Sequence, residues 1–297
     1  MAARIGEIVG GRYRLRAPLG SGGMGQVYLA ELLPSGERVA VKALKPELNA
    51  DDGSRRRFEQ EARALAAIRH PNVARFFELV LGDPTLLVTE YVEGPTLRQV
   101  IEREGRLPPA RAASIAGQLS FALHAVHAAG VVHRDLKPDN VVMRKKQGGD
   151  FPKLIDFGLA KLGLPRHQRL TRAGALFGTP QYMAPEQVAG RDVDARADVY
   201  ALGCVLYQML VGHPPFPDCA SEAEVMTSQV ERPFTKVTEL APRTPPGLAE
   251  VLERMVAKLA GDRYPSMIEV SHALSTFDAR PPAGIFARLK GLLGAKR

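Results

Sequence analysis

The sequence predicts an α+β protein of two lobes: a small, β-rich N-terminal lobe with one main helix, and a larger, mainly α-helical C-terminal lobe. Three observations lead there. Up to Tyr91, short runs of β-branched and apolar residues are separated by Gly and Pro-Ser-Gly turns, the pattern of successive strands. Beyond Pro95 the apolar residues recur at helical spacing instead. The chain has 297 residues, 45% of them hydrophobic, which is enough to bury a substantial core and excludes a disordered or fibrous protein.

The elements follow in order. Tyr13 to Leu19, Gln26 to Leu33 and Arg38 to Leu44 read as strands. One helix interrupts them: with Ser54 as N-cap, residues Phe58, Glu61, Ala62, Leu65 and Ile68 return at helical spacing until the stop at His70-Pro71. Thr85 to Tyr91 is a further strand. Tyr91 to Thr96 then carries Gly94 and Pro95 in a single chain crossing, read as a hinge between two cores that can move relative to each other. The clearer helices after it are Ala110 to Ala129, Arg196 to Val211, Pro246 to Leu259 and Pro265 to Phe277. Val141-Val142-Met143 and Lys153-Leu154-Ile155 read as partner strands joined by an exposed tip at Lys145 to Gly149, and Pro233 to Pro246 reads as a long surface loop.

This division sets an N-terminal extension at 1–12, a main domain at 13–278 with lobes at 13–90 and 97–278 around a hinge at 91–96, and a tail at 279–297. In the tail Ile285, Phe286, Leu289, Leu292 and Leu293 share one helical face, while Arg288, Lys290, Lys296 and Arg297 are basic. Such a segment suits peripheral contact with an anionic membrane, docking of a partner, packing on the main domain, or a frayed end with incidental periodicity.

Composition narrows the function classes. A formal charge of +8 favours anionic partners in general. With no Trp, no zinc-finger spacing and no basic stripe interleaved with aromatics, nucleic acid is not among the expected partners. Cys204 and Cys219 are too few for a disulfide framework and lie outside metal-ligand spacing; Cys204 reads as a packed helix residue. No apolar run is long enough for a transmembrane helix, and Met1 to Glu7 lacks a signal-peptide core, so a soluble, cytoplasmic protein is expected.

Three segments carry chemistry. Gly20-Ser21-Gly22-Gly23-Met24-Gly25-Gln26-Val27 fits G-x-G-x-x-G-x-V. A dinucleotide site would need a helix next; here Gln26 to Ala30 continues as a strand, so the glycines form a hairpin that can cover phosphates, or a plain flexible one. Lys42, in Val39-Ala40-Val41-Lys42, stands in an otherwise apolar strand where a charge needs a partner. Glu61, on the apolar side of the next helix, is the natural one, and the pair would hold the ammonium against the α- and β-phosphates of ATP. Taken singly, either residue would more simply face solvent.

The third segment is His133-Arg134-Asp135-Leu136-Lys137-Pro138-Asp139-Asn140, followed by Asp156-Phe157-Gly158. It supplies a proton acceptor, a cation and two oxygen ligands for magnesium, the parts a phosphoryl transfer site needs because its transition state is handled by positioning and electrostatics.

This segment resembles the catalytic loop of Hanks-type protein kinases, and Lys137, two residues after Asp135, resembles the serine/threonine branch. Together with Gly22-Gly23-Met24-Gly25 and Gly178-Thr179-Pro180-Gln181-Tyr182-Met183-Ala184-Pro185-Glu186-Gln187, it looks most like the bacterial, eukaryotic-like serine/threonine kinases, over about Tyr13 to Phe277. The resemblance implies that Asp135 accepts the substrate hydroxyl proton, that Lys137 neutralises the transferred phosphate, and that Asn140 and Asp156 bind Mg2+, with Mn2+ as a substitute. Leu19 and the glycine-rich loop would lie over ATP. Val27, Ala40 and Val142 would sandwich the adenine, the backbone of Glu90 and Val92 would bond its edge, and Thr89 would be a small gatekeeper with a back pocket behind it. Thr179 would line the substrate hydroxyl pocket, Glu186 would pair with Arg263 to tie the segment to the larger lobe, and Asp198 would anchor the catalytic loop. Tyr200 stands where many relatives carry Trp. Thr171, among Arg166, His167, Arg169 and Arg172, would be an activating phosphosite clamped by Arg134, or else a plain exposed threonine.

Two readings of function follow. One is an ATP-dependent serine/threonine protein kinase that acts on Ser and Thr of proteins and, through self-association, on itself in trans. The other is a pseudokinase scaffold that uses the same fold to bind partner proteins without catalysis. The full set Lys42, Glu61, Asp135, Asn140 and Asp156 favours the first. A kinase of small molecules is a third option, but Gly178 to Glu186 resembles a peptide-substrate platform that such enzymes generally lack.

Overall fold

The computed structural model describes residues 4–22, 25–44, 52–146, 149–156 and 179–277. The first part of the chain builds one six-stranded sheet in the order β1-β2-β3-β4-β6-β5. Its members are β1 (Ile8–Val9), β2 (Tyr13–Gly22), β3 (Gly25–Leu32), β4 (Glu37–Leu44), β5 (Phe76–Val80) and β6 (Leu86–Glu90), and every pairing is antiparallel. β1 lies within the segment read as an N-terminal extension and pairs Val9 with Tyr13. β5 is absent from the sequence prediction, because Phe-Phe-Glu-Leu-Val does not alternate cleanly and pairs β6 through a register shift between Phe76 and Glu78.

Pleating sends successive side chains to opposite faces. Tyr28, Ala30, Val39 and Val41 therefore go to one face, where Tyr13, Leu15, Leu86 and Val88 join them in a buried cluster. The sheet curls around that cluster: Arg12 and Tyr13, beside one edge, bond Glu78 of β5 at the other edge. On the opposite face the register sets Gly20 beside Val27, Val27 beside Lys42, and Ala40 beside Thr89.

Helix α1 (Asp52–Ala67) buries Ala62 and Leu65, with Ile68 buried just past its end. It begins before Ser54, which therefore lies inside the helix and is not its N-cap.

The C-terminal lobe contains α2 (Leu97–Glu104), α3 (Pro109–Ala128), the hairpin β7 (Val141–Lys146) and β8 (Gly149–Leu154), then α4 (Pro185–Val188), α5 (Arg196–Val211), α6 (Glu222–Glu231), α7 (Val237–Leu240), α8 (Pro246–Met255) and α9 (Met267–Ser275). At the centre is α5, buried from Ala197 through Val211, Cys204 included. Short helices α2 and α6 were beyond the reach of periodicity, though each has a cap: Thr96 with Gln99, and Ser221 accepting from Glu224 N. The expected loop Pro233 to Pro246 contains α7. The helix expected to reach Leu259 ends at Met255, because a 3-10 turn at Ala260–Asp262 follows to present Arg263.

The two lobes do not have two separate cores. Leu44, Ala62, Leu65, Phe76 and Leu87 belong to the same buried cluster as α3 and α5; among the described residues the interior of the curled sheet and a small group of Ala74, Val92 and Val142 stand apart. The crossing at Tyr91 to Thr96 is also pinned. Gly94 has φ 149°, a Cβ there would lie 2.7 Å from Met143 O, and Met143 N donates to Pro95 O at 2.8 Å. A second seam joins the lobes, from Ala74 N to Leu154 O at 2.7 Å and from Leu154 N to Asn72 O at 2.9 Å. Among the described residues no helix is long and apolar enough to cross a membrane.

Candidate active site

The cleft between the lobes collects residues from four segments. Gly20, Ser21 and Gly22 end β2 and pair with Val27, Gln26 and Gly25 of β3; Gly23 and Met24, at the tip, lie outside the described residues. Gly25 tolerates no side chain, because a Cβ would overlap the backbone oxygen of Ala43. Leu19 falls in a register shift of β2, which turns it out of the ladder and leaves it 45% exposed. Val27, Ala40 and Thr89 sit side by side and half-buried, while Val92 and Val142 form a small buried cluster with Ala74, against which Ile155 packs.

Lys42 crosses the cleft. Its Nζ lies 2.7 Å from Asp156 Oδ2 and 3.0 Å from Oδ1, a bond between β4 and the residue that follows the end of β8 by two positions. The side chain of Glu61, its expected partner, is outside what the structure describes, so the described partner of Lys42 is Asp156. Glu90, at the end of β6, is held from behind by Lys153 of β8 and by Arg75 N, which donates to Glu90 Oε2 at 3.0 Å. Lys153, a lysine in the apolar run Phe151 to Ile155, carries the same signal in the sequence that singles out Lys42.

The loop 133–140 is fixed by one buried carboxylate. Asp198 of α5 accepts His133 N at 2.8 Å and Arg134 N at 2.9 Å, and His127 Nε2 lies 2.7 Å from its Oδ2. Burial by itself would raise the Asp198 carboxyl; the hydrogen bond with His127 and the nearness of His133 outweigh it and hold the group below its ordinary value. Arg134 adopts φ 61°, a left-handed conformation rare for its residue type, and its carbonyl accepts from Gln187 Nε2 at 3.2 Å. Inside the loop, Asn140 Nδ2 donates to Asp135 O at 2.8 Å. Lys137 Nζ stands 3.8 Å from Asp135 Oδ2 and donates to Thr179 Oγ1 at 3.0 Å.

The segment after Thr179 is tied down by Arg263, which is 1% exposed. Its guanidinium meets Glu186 in two parallel bonds of 2.7 and 2.8 Å, and its remaining donors reach Ala257 O, Arg196 O and Lys258 O. A planar fork with five donors suits that set of acceptors. Phe157, Gly158, the phosphosite candidate Thr171, Gly178 and the tail 279–297 lie outside the described residues, as do Gln147 and Gly148 of the hairpin tip.

The donor set suits ATP phosphates with a divalent cation. Among the described residues no cluster of His, Cys, Asp and Glu forms a metal cage, but magnesium is commonly held by one or two protein oxygens together with phosphates. Asn140 has committed its amide nitrogen to Asp135 O, so its carboxamide oxygen is the atom it offers, and Asp156 already balances a cation in Lys42.

Comparison with known proteins agrees with this layout. The protein kinase domain family matches residues 13–274. The chain is 39% identical over 279 residues to serine/threonine-protein kinase pkn2 of Myxococcus xanthus, covering 93% of this chain and 33% of that protein. It is 41% identical over 266 residues to serine/threonine-protein kinase Pkn1 of the same organism, covering 89% and 38%. The crystal structure of the Mycobacterium tuberculosis PknI kinase domain aligns with a TM-score of 0.72 at 29% identity, over 93% of this chain and 100% of that one. The chain thus spans well under half the length of these curated relatives. A curled N-terminal sheet, a helical C-terminal region and a family match across almost all of the chain lead to one conclusion: it belongs to the protein kinase domain family, as a bacterial Hanks-type member.

Proposed function

We propose that the chain is an ATP-dependent serine/threonine protein kinase that moves the γ-phosphate of Mg-ATP to Ser and Thr hydroxyls of proteins, and in trans to its own activation segment. The observation that carries the reading is the meeting of Asp135, Lys137 and Thr179. A carboxylate and a cation from one loop stand beside an alcohol oxygen from a separate segment, 3.8 and 3.0 Å from the same ammonium.

In this reading Asp135 orients the acceptor hydroxyl and takes its proton as the new O–P bond forms and the bond to the leaving ADP breaks. Lys137 balances the charge on the transferred group, and Thr179 lines the pocket for the incoming hydroxyl. Lys42 is the candidate for the α- and β-phosphates. Asn140 and Asp156 would hold magnesium, which when bound neutralises charge on the phosphate oxygens. Leu19, Gly20, Ser21, Gly22 and Gly25 cover the nucleotide; Val27, Ala40 and Val142 enclose the adenine, with Thr89 beside it and the Glu90 and Val92 backbone at its edge. Asp198, Glu186 and Arg263 keep the loop and the platform in place. Thr171 and Arg134 are proposed as the phosphosite and its clamp, and use of ATP places the domain on the cytoplasmic side.

Transfer of radiolabelled phosphate from ATP to casein by the wild type and by Asp135→Asn tests the reading. Loss of the base should lower the rate by about 10²- to 10⁴-fold. Equal labelling by the two proteins would remove the assignment, and a pseudokinase scaffold would leave casein unlabelled by either.

A further inference from the structure

Lys258 is a half-buried lysine that the transfer site does not use. Its ammonium sits in a box of three rings, 5.8 Å from the centroid of Tyr200, 5.3 Å from Phe216 and 5.1 Å from Phe234. Phe234 meets Tyr200 and Phe216 edge to face, at 6.0 and 5.2 Å. The three donors of the ammonium have three acceptors: Gln229 O at 2.7 Å, Ser228 O at 3.3 Å and Tyr200 Oη at 3.4 Å. Both carbonyls belong to the end of α6, where the helix dipole favours a cation. Phe216 closes the box with φ 58°, a left-handed conformation that costs a bulky residue backbone strain.

The box leads to the substrate platform. Tyr200 Oη donates to Gln229 Oε1 at 2.5 Å, and Gln229 Nε2 donates to Gln181 O at 2.7 Å and Pro180 O at 3.1 Å. Gln229 is 0% exposed, and its one acceptor and two donors all find matched partners. Reversed, its oxygen would face two carbonyls, so the orientation follows from the chemistry. Pro180 and Gln181 come directly after Thr179, whose hydroxyl Lys137 bonds.

We propose that Lys258 is a positioning residue for the protein substrate: through Tyr200 and Gln229 it fixes the turn Pro180–Tyr182, and with it Thr179, against the catalytic loop. This rests on the kinase reading above. Tyr200, in the place where the sequence reading expected many relatives to have Trp, supplies the hydroxyl that joins the box to Gln229.

Burial lowers the Lys258 pKa from 10.5 to about 8, and the charge of Arg263 adds to the shift. The other groups facing the box are Glu186, which pairs with Arg263, and Arg232 over Phe216. Burial pushes the Cys204 thiol and the Tyr200 hydroxyl up, so both stay neutral as Lys258 titrates. Above about pH 8 the amine has two donors in place of three, and the affinity for the protein substrate should fall. Stability should move the other way. A lysine whose folded pKa is lowered favours folding as the pH rises from about 8 towards 10.5, because the uncharged form costs less to bury.

The test uses Lys258→Met and Tyr200→Phe with casein and ATP as substrates, across about pH 7 to 9. Lys258→Met should raise KM for casein about tenfold and Tyr200→Phe about threefold, with KM for ATP unchanged. The rise of casein KM through about pH 8 in the wild type should be flat in Lys258→Met. Unchanged casein KM in both variants, or a change confined to ATP, would overturn the proposal even if melting temperatures shift. If the wild type transfers no phosphate, the kinase reading has failed separately. Hydrogen exchange of the Tyr182 and Met183 amides, bonded at 3.2 Å to Thr179 O and Pro180 O, then reads the same coupling: faster exchange in both variants supports it, and wild-type rates refute it.

Discussion

On the C-terminal side of the cleft, functional groups are held by buried charge. Asp198, 0% exposed, takes two backbone N–H groups of the loop, and Arg263 fills every direction of its guanidinium with Glu186 and three carbonyls. On the N-terminal side Val27, Ala40 and Thr89 are aligned by strand register and stay half-buried, Lys42 beside them keeps 13% of its side chain exposed, and Leu19 is turned out by a register shift. The groups around Asp135 and Lys137 are thus fixed by hydrogen bonds within the protein, while the opposite wall is a shaped, partly apolar face set by strand register. Lys42 on Asp156 and Lys153 on Glu90 are ion pairs that cross between them.

Variants on the two sides should accordingly fail in different ways. Arg263→Ala should have the largest effect on folding, because it leaves Glu186 without its cation and three carbonyls without their donor; about 3–5 kcal/mol should disappear from the urea unfolding free energy. Asp198→Asn should cost about 2 kcal/mol at neutral pH, since a carboxamide brings one N–H2 to a place where two N–H groups need acceptors. Its pH dependence is a sharper test. The Asp198 carboxyl is held below its ordinary 3.8, so its stabilisation is full above that value and is lost as the pH falls through the lower folded one. Wild type should lose this part of its stability below about pH 4 and Asp198→Asn should not. Lys42→Met should have the smallest effect on folding, under about 1 kcal/mol for a partly exposed pair, yet should raise KM for ATP by at least about tenfold if the ammonium meets phosphate. A large loss of stability in Lys42→Met, or a change of ATP affinity with stability unaltered in Arg263→Ala, would break the comparison between the two sides.

Much of this was legible in the residues. The bounds of α5 could be read because an uninterrupted apolar helix has no other place than the centre, and Asp135, Lys137, Asn140 and Asp156 because their chemistry is confined to short segments. Helices α2 and α6 escaped, α2 because eight residues make barely two turns and α6 because its buried face is largely polar, with Ser228 and Gln229 beside Val225; only their caps marked them. Ser54 was misplaced as a cap because polar residues at a helix start are interchangeable at that resolution. Lys153, Lys258 and Gln229 were passed over, each a single polar residue whose partner lies elsewhere in the chain.

Local pattern alone carries the two-lobe α+β class, the alternation that puts Lys42 on a different face from Val39 and Val41, and the inventory of acids, cations and glycines in the cleft. These depend on periods of two or 3.6 residues and on side-chain chemistry, which are local properties. Long-range packing is what brings Lys42 to Asp156, 114 positions away, gives the two lobes a shared core, and lets Lys258 reach the platform through Tyr200 and Gln229. A buried charge must find a partner, but the law that requires one does not say which; the packing of distant segments does.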